Sequence, residues 1–136
     1  SVLHDVGKIA LPAPLLAKPG RLAPEEYELV KRHVTIGATL IENIPGFADA
    51  AKAVKYHHER YDGKGYPDGL KGEHIPLLAR IVSLIDAYSA MVIDRPYHKR
   101  IEYDQAVREM RARAGTQFDP KLVEKFVSLV ESGGGR

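Results

Sequence analysis

The sequence contains no cysteine. That excludes disulfides, cysteine-ligated zinc, iron–sulfur clusters and thiol nucleophiles, and it fits a reducing, cytoplasmic compartment. No apolar run approaches the roughly 18 residues of a membrane span, and no charged-then-apolar signal segment is present. Charge of one sign is also scarce. Twenty Lys and Arg against eighteen Asp and Glu leave +2, too small an excess to argue for a nucleic-acid partner. No internal repeat is visible, and no segment alternates with the period of a strand. What remains is an ordinary globular composition, 44% hydrophobic and 28% charged over 136 residues, sufficient for one domain with one core.

The apolar spacing predicts an all-α chain. Ser1 to about Lys8 reads as the last turns of a helix that begins upstream, followed by a loop marked by Pro12, Pro14, Pro19 and Gly20. Pro24-Glu25-Glu26 is a helix start, with proline in the first turn and two acids at the positive end of the dipole. Tyr27, Val30, Val34, Ile36, Leu40, Ile41 and Ile44 continue a helical period, in two helices meeting near His33, and Pro45-Gly46 ends it. A further helix is expected from Phe47 to about Arg60. Tyr61 to Pro76 then holds four glycines and two prolines, a long irregular stretch of the kind that usually carries function. Leu77–Val92 is apolar on nearly all sides and predicts a central buried helix. Helices over Tyr103–Arg113 and Asp119–Val130 complete the set. The domain is expected to span residues 1–131, with 132–136 as a flexible tail. A start at Ser1, with a candidate ligand as early as His4, predicts a piece of a longer chain.

The chemistry-bearing residues are scattered. His4-Asp5 and His33 are weak signals alone, since a charged pair at a helix end or a half-exposed imidazole looks the same. His57-His58-Glu59 is stronger: adjacent histidines on a helix point about 100° apart and suit two directions of approach to a metal cluster, although a solvated helix end is equally consistent. Asp86 lies within the most apolar helix, where a carboxylate would cost several kcal/mol to ionise unless paired or bound to a metal. Together His4, Asp5, His33, His57, His58 and Asp86 make a nitrogen and oxygen donor set suited to Fe, Mn, Zn, Ni or Co. Six candidates exceed the needs of one tetrahedral ion, so a two-metal site with hydrolytic, phosphoryl-directed chemistry is the natural expectation. Lys8, one turn beyond His4, would share its face and address an anion; a solvated lysine is the bland alternative. Arg95, in the basic run Asp94-Arg95-Pro96-Tyr97-His98-Lys99-Arg100, has the bidentate geometry that clamps a phosphodiester, and a basic surface loop is its alternative.

Leu3-His4-Asp5-Val6-Gly7-Lys8-Ile9, followed by His57-His58-Glu59-Arg60-Tyr61-Asp62-Gly63-Lys64-Gly65-Tyr66-Pro67, strongly resembles the HD-GYP domain of the HD phosphohydrolase superfamily. Further matches are Lys18-Pro19-Gly20, Gly72-Glu73-His74-Ile75-Pro76-Leu77, Asp94-Arg95-Pro96-Tyr97 and Gly115-Thr116-Gln117-Phe118-Asp119-Pro120. The resemblance implies an HD-domain-type bundle of about five to seven helices, lacking its first helix or helices. It implies two or three divalent ions, Fe or Mn, and hydrolysis of the bacterial second messenger cyclic di-GMP to pGpG and onward to GMP. By resemblance His4, Asp5, His33, His57, His58 and Asp86 are metal ligands, with Asp5 bridging and catalytic. Lys8 is the catalytic lysine at the scissile phosphate. Arg95 contacts phosphate, and Gly65-Tyr66-Pro67 takes part in substrate selection. His98 stands at a substrate position where many members carry lysine. The ligand-bearing helix of the family upstream of the HD pair is absent from these 136 residues, so the first metal position is expected to be one ligand short. Diguanylate cyclase (GGDEF-type) domains and a covalently attached receiver or sensor domain are the implied partners, with no nucleic-acid or membrane contact. The competing expectation is a non-catalytic HD-GYP domain that binds the nucleotide or a protein partner; another HD phosphohydrolase acting on a mononucleotide is the third.

Overall fold

The computed structural model describes residues 7, 11, 20–92 and 102–133. His4, Asp5, Lys8, Arg95 and His98, the helix expected before Lys8 and the last three residues of the expected tail lie outside the described residues. Among the described residues there are six α-helices and no strand: α1 Pro24–Lys31, α2 His33–Ile41, α3 Ala48–Tyr56, α4 Leu77–Val92, α5 Tyr103–Ala112 and α6 Pro120–Ser132, with a short 3-10 turn at Gly72–His74. The all-α expectation is met.

Local sequence sets the boundaries. Pro24 opens α1, and the Glu26 carboxylate reaches back to accept the Ala23 amide at 2.8 Å. Arg32 closes α1 and opens α2 with φ −66° and ψ −15°, so the two helices are separated by one residue, and His33 is the first residue after the break. Asp119 caps α6, its Oδ1 accepting from Lys121 N at 2.9 Å and Leu122 N at 3.4 Å, with Pro120 in the first turn.

Two apolar clusters hold the bundle. Leu84, Val107, Met110, Phe118, Val123 and Val127 join α4, α5 and α6, while Ala38, Ile41, Ala51 and Val54 join α2 and α3. Helix α3 packs on α4 and links the two halves.

Two expectations are corrected. The third helix closes at Tyr56, not near Arg60. Glu59 N bonds back to Tyr56 O at 3.0 Å in a tightened turn, and the Glu59 side chain is committed to the following loop, so the helical ladder stops at the histidine pair. Helix α4 is not buried all round. Only Ala79 and Leu84 are fully enclosed, whereas Leu77, Leu78 and Ile85 are 54%, 45% and 43% exposed. Among the described residues its main helix contacts are with α3, α5 and α6.

Candidate metal centre

The four buried polar side chains among the described residues are His33, His57, Glu59 and Asp119. Two are imidazoles that face one another, and two are carboxylates: Glu59 fastens the loop between α3 and α4, and Asp119 pairs with Arg80 of α4 and caps α6. Each has a physical reason to be inside.

His33 starts α2 and is 1% exposed; its Nδ1 lies 2.7 Å from Val30 O. His57 follows the last residue of α3 and is 2% exposed; its Nδ1 lies 2.7 Å from Val54 O. A carbonyl only accepts, so both Nδ1 atoms carry the proton and both Nε2 atoms keep their lone pairs. Those Nε2 atoms are buried. His58, half-buried, completes the group: one ligand atom from each of His33, His57 and His58 falls within 4.8 Å of the others. The ring centroids are 4.1 Å apart for His57–His58, 5.1 Å for His33–His58 and 5.8 Å for His33–His57.

This donor set fits a divalent transition ion. Imidazole suits Fe, Mn, Zn, Ni and Co, and a backbone carbonyl on the far ring nitrogen fixes the tautomer and raises the basicity of the ligating one. Asp86, on α4, is half-buried and does not belong to the set of three, although its helix packs against α3. Gly7 is described, and its backbone is pressed against α2, where an added Cβ would collide with His33 O and approach Gly37 N to 2.7 Å. Only glycine permits that approach.

The loop after the histidines bends back over them. Tyr66 stacks on His58 with centroids 5.0 Å apart and planes at 17°, and Tyr66 N lies 3.4 Å from His58 O. Gly65 passes so close that a Cβ would meet Arg60 N, His58 O at 2.5 Å and Glu59 Cα at 2.6 Å. The Tyr66–Pro67 peptide is cis. Beyond Tyr66, Tyr27 meets its ring edge-on at 6.3 Å, and Lys31 Nζ sits 5.2 and 5.4 Å from the Tyr27 and Tyr66 ring centres. A groove of about 250 Å³ opens there, lined by Glu28, Lys31, Arg32, Thr35, Tyr66 and Pro67.

Arg80 carried no sequence signal, and Glu59 and Asp119 stood out only as members of longer motifs, not for the contacts they make. Glu59 accepts three loop amides; Arg80 and Asp119 form a buried ion pair at 2.6 Å, and Arg80 Nε also donates to Ile75 O at 2.9 Å. The one available cue was Asp119-Pro120, a recognisable helix cap. At the start of the loop, Arg60 pairs with Asp62 at 2.9 Å; that hydrogen bond holds the Asp62 carboxyl below the usual carboxylate range, with the Lys64 amide adding to it.

The HD domain family profile matches residues 1–122. A cyclic di-GMP phosphodiesterase of Thermotoga maritima is 43% identical over 129 residues, covering 93% of this chain and 35% of that protein. The cyclic di-GMP phosphodiesterase response regulator RpfG of Xanthomonas campestris pv. campestris is 45% identical over 127 residues, covering 92% and 34%. The chain thus spans about a third of the length of these relatives. A cyclic GMP-AMP-specific phosphodiesterase structure from V. cholerae superposes with a TM-score of 0.72 at 22% identity, over 96% of this chain and 36% of the other, which shows a shared fold. With the family profile spanning nearly all of the three-histidine fold, and with the tyrosine of Gly65-Tyr66-Pro67 stacked on His58, the chain belongs to the HD domain family and, within it, to the HD-GYP type.

Proposed function

We propose that this domain is a metal-dependent phosphodiesterase that opens cyclic di-GMP to pGpG and carries it on to GMP. The observation that supports this reading best is the convergence of His33, His57 and His58, with both buried Nδ1 atoms committed to backbone carbonyls. Relatives named as cyclic di-GMP phosphodiesterases at 43% and 45% identity supply the substrate. His33, His57 and His58 would hold one divalent ion, iron or manganese, and His4, Asp5 and Asp86 are the proposed further ligands for a second, with a third ion as the fuller form. Bound there, such ions supply Lewis-acid polarisation of a phosphoryl oxygen and lower the pKa of water.

The remaining roles belong to the chain itself. Lys8, Arg95 and His98 address the phosphates of the substrate, with Asp5 and Lys8 at the reacting phosphorus. Gly65, Tyr66 and Pro67 form the wall that selects the dinucleotide, and Tyr66 keeps His58 oriented. The setting is cytoplasmic bacterial signalling, with an attached receiver or sensor domain and GGDEF-type domains as partners; no helix among the described residues is long and apolar enough to cross a membrane.

The test is incubation of the intact protein with Mn²⁺ or Fe²⁺ and cyclic di-GMP, followed by chromatography for pGpG and GMP, with 3′3′-cGAMP as a competing substrate. Product that disappears with chelation supports the reading, as do loss of turnover in Asp5→Ala and slowed turnover with retained metal in Lys8→Ala. Binding without product favours the non-catalytic alternative. Unchanged turnover in a chelated Asp5→Ala sample overturns the mechanism.

A further inference from the structure

Glu59 follows the histidine pair directly, yet it points away from the cluster. It is 3% exposed. Its Oε1 accepts from Asp68 N at 2.7 Å and Gly69 N at 3.0 Å, and its Oε2 accepts from Leu70 N at 3.0 Å. Three consecutive backbone amides thus converge on one carboxylate, a concave arrangement that ordinarily cradles a free anion. Here the chain supplies the anion itself. The Asp68 side chain is tied to the same helix, accepting from Tyr56 Oη at 3.0 Å with Lys55 Nζ at 3.9 Å.

The loop segment between these anchors is short. From Glu59 to Asp68 the chain runs out through Gly63 and back through Gly65, whose backbone is in van der Waals contact with His58 and Glu59, and it delivers Tyr66 onto the His58 ring. Tyr66 is two residues from the first amide that Glu59 holds. A shift of residues 68–70 would therefore move Tyr66, and with it the imidazole that Tyr66 stacks upon.

We propose that Glu59 is a positioning residue of the metal centre: through the amides of Asp68, Gly69 and Leu70 it fixes Tyr66 against His58 and so sets the orientation of that ligand. The proposal rests on the metal-centre reading above for its effect on ion affinity, but its geometric half does not. It makes His57-His58-Glu59 a functional triplet in which two residues would hold an ion and the third holds the loop that packs on them.

The decisive experiment is a double-variant cycle in the intact protein, using Glu59→Gln, Tyr66→Ala and their combination, read in two ways. The first readout is the His58 ring proton resonance, which a ring stacked at 5.0 Å displaces. Glu59→Gln should move it in the same direction as Tyr66→Ala, and adding Glu59→Gln to Tyr66→Ala should move it no further. The second readout is the Mn²⁺ dissociation constant. Glu59→Gln should weaken it about tenfold, in the range typical of residues that orient ligands, and by less than twofold in the Tyr66→Ala background. Effects of Glu59→Gln that multiply with those of Tyr66→Ala, or a His58 resonance unmoved by Glu59→Gln, overturn the proposal. Glu59→Asp, which keeps the charge but withdraws it by one methylene, carries the same test should the Gln variant fail to fold. Failure of the phosphodiesterase reading would show instead as a wild-type protein without product, with the His58 resonance still coupled to Glu59.

Discussion

Replacing Arg80 by methionine should destabilise the domain far more than loss of a surface ion pair would. Arg80 Nη1 bonds Asp119 Oδ2 at 2.6 Å, with side-chain exposures of 13% and 3%. Removing the guanidinium leaves a buried carboxylate whose other oxygen is already committed to the cap of α6. Breaking one side of such a buried pair costs about 3–5 kcal/mol. The Nε bond to Ile75 O at 2.9 Å is lost as well, which adds about 1 kcal/mol. Unfolding entropy of about 2.1 cal/mol/K per residue over 136 residues converts each kcal/mol to roughly 3.5 °C, so the melting temperature should fall by about 14–21 °C. Differential scanning calorimetry of the wild type and Arg80→Met measures this directly. The double variant Arg80→Met/Asp119→Asn removes the stranded charge and should melt above Arg80→Met alone. A fall of less than about 3 °C in the single variant, or a double variant that melts lower than the single, would refute the assignment of this pair as a buried, fully committed contact.

His33→Ala should raise the Mn²⁺ dissociation constant by more than about a hundredfold, beyond what loss of a supporting residue does, as measured by equilibrium dialysis. Gly65→Ala places a methyl group at 2.5 Å from His58 O and 2.6 Å from Glu59 Cα; overpacking of this kind costs about 1–3 kcal/mol, and turnover should fall with the melting temperature as Tyr66 is displaced. Asp62, held below the ordinary carboxylate range mainly by its hydrogen bond from Arg60, supports the fold above its unfolded pKa, and that support is lost as pH falls through the folded value. Asp62→Asn should therefore lower the unfolding free energy from urea titration slightly at neutral pH, by no more than about 1 kcal/mol for a partly exposed pair, and the difference from wild type should vanish in acid. A difference that persists unchanged through the acid range would sink that account.

Most of the helical framework was legible because its signals are local. Pro24 and the two acids after it and the apolar period of Leu77–Val92 each depend on a few neighbouring residues, and the helices begin where those residues stand. The break near His33 was legible for the same reason. The end of α3 was not, because Glu59 leaves the helix for amides nine to eleven residues ahead, a tertiary demand that helical spacing does not register. Nor was the exposure of α4, since an apolar run reports that a helix has a buried face and not how many neighbours cover it. At the site, the three histidines were recognisable as residue types, while the convergence of His33 with His57 and His58 is a product of α2 packing on α3.

The two helix ends beside the cluster show why the histidines sit at breaks and not within helices. The last turn of any helix leaves carbonyls short of amide donors. Val30 O belongs to the last turn of α1 and Val54 O to the last turn of α3, and each accepts Nδ1–H of a histidine three residues ahead. One bond thus serves two ends: it satisfies a carbonyl at the negative pole of a helix, and it fixes the proton on Nδ1 so that Nε2 is presented as a base. An uninterrupted helix would take those carbonyls for its own ladder and leave each imidazole free to rotate or to change tautomer. The shortness of α1 and α3, at 8 and 9 residues, is therefore tied to the chemistry, because each helix stops where its terminal carbonyl is needed to aim a ligand.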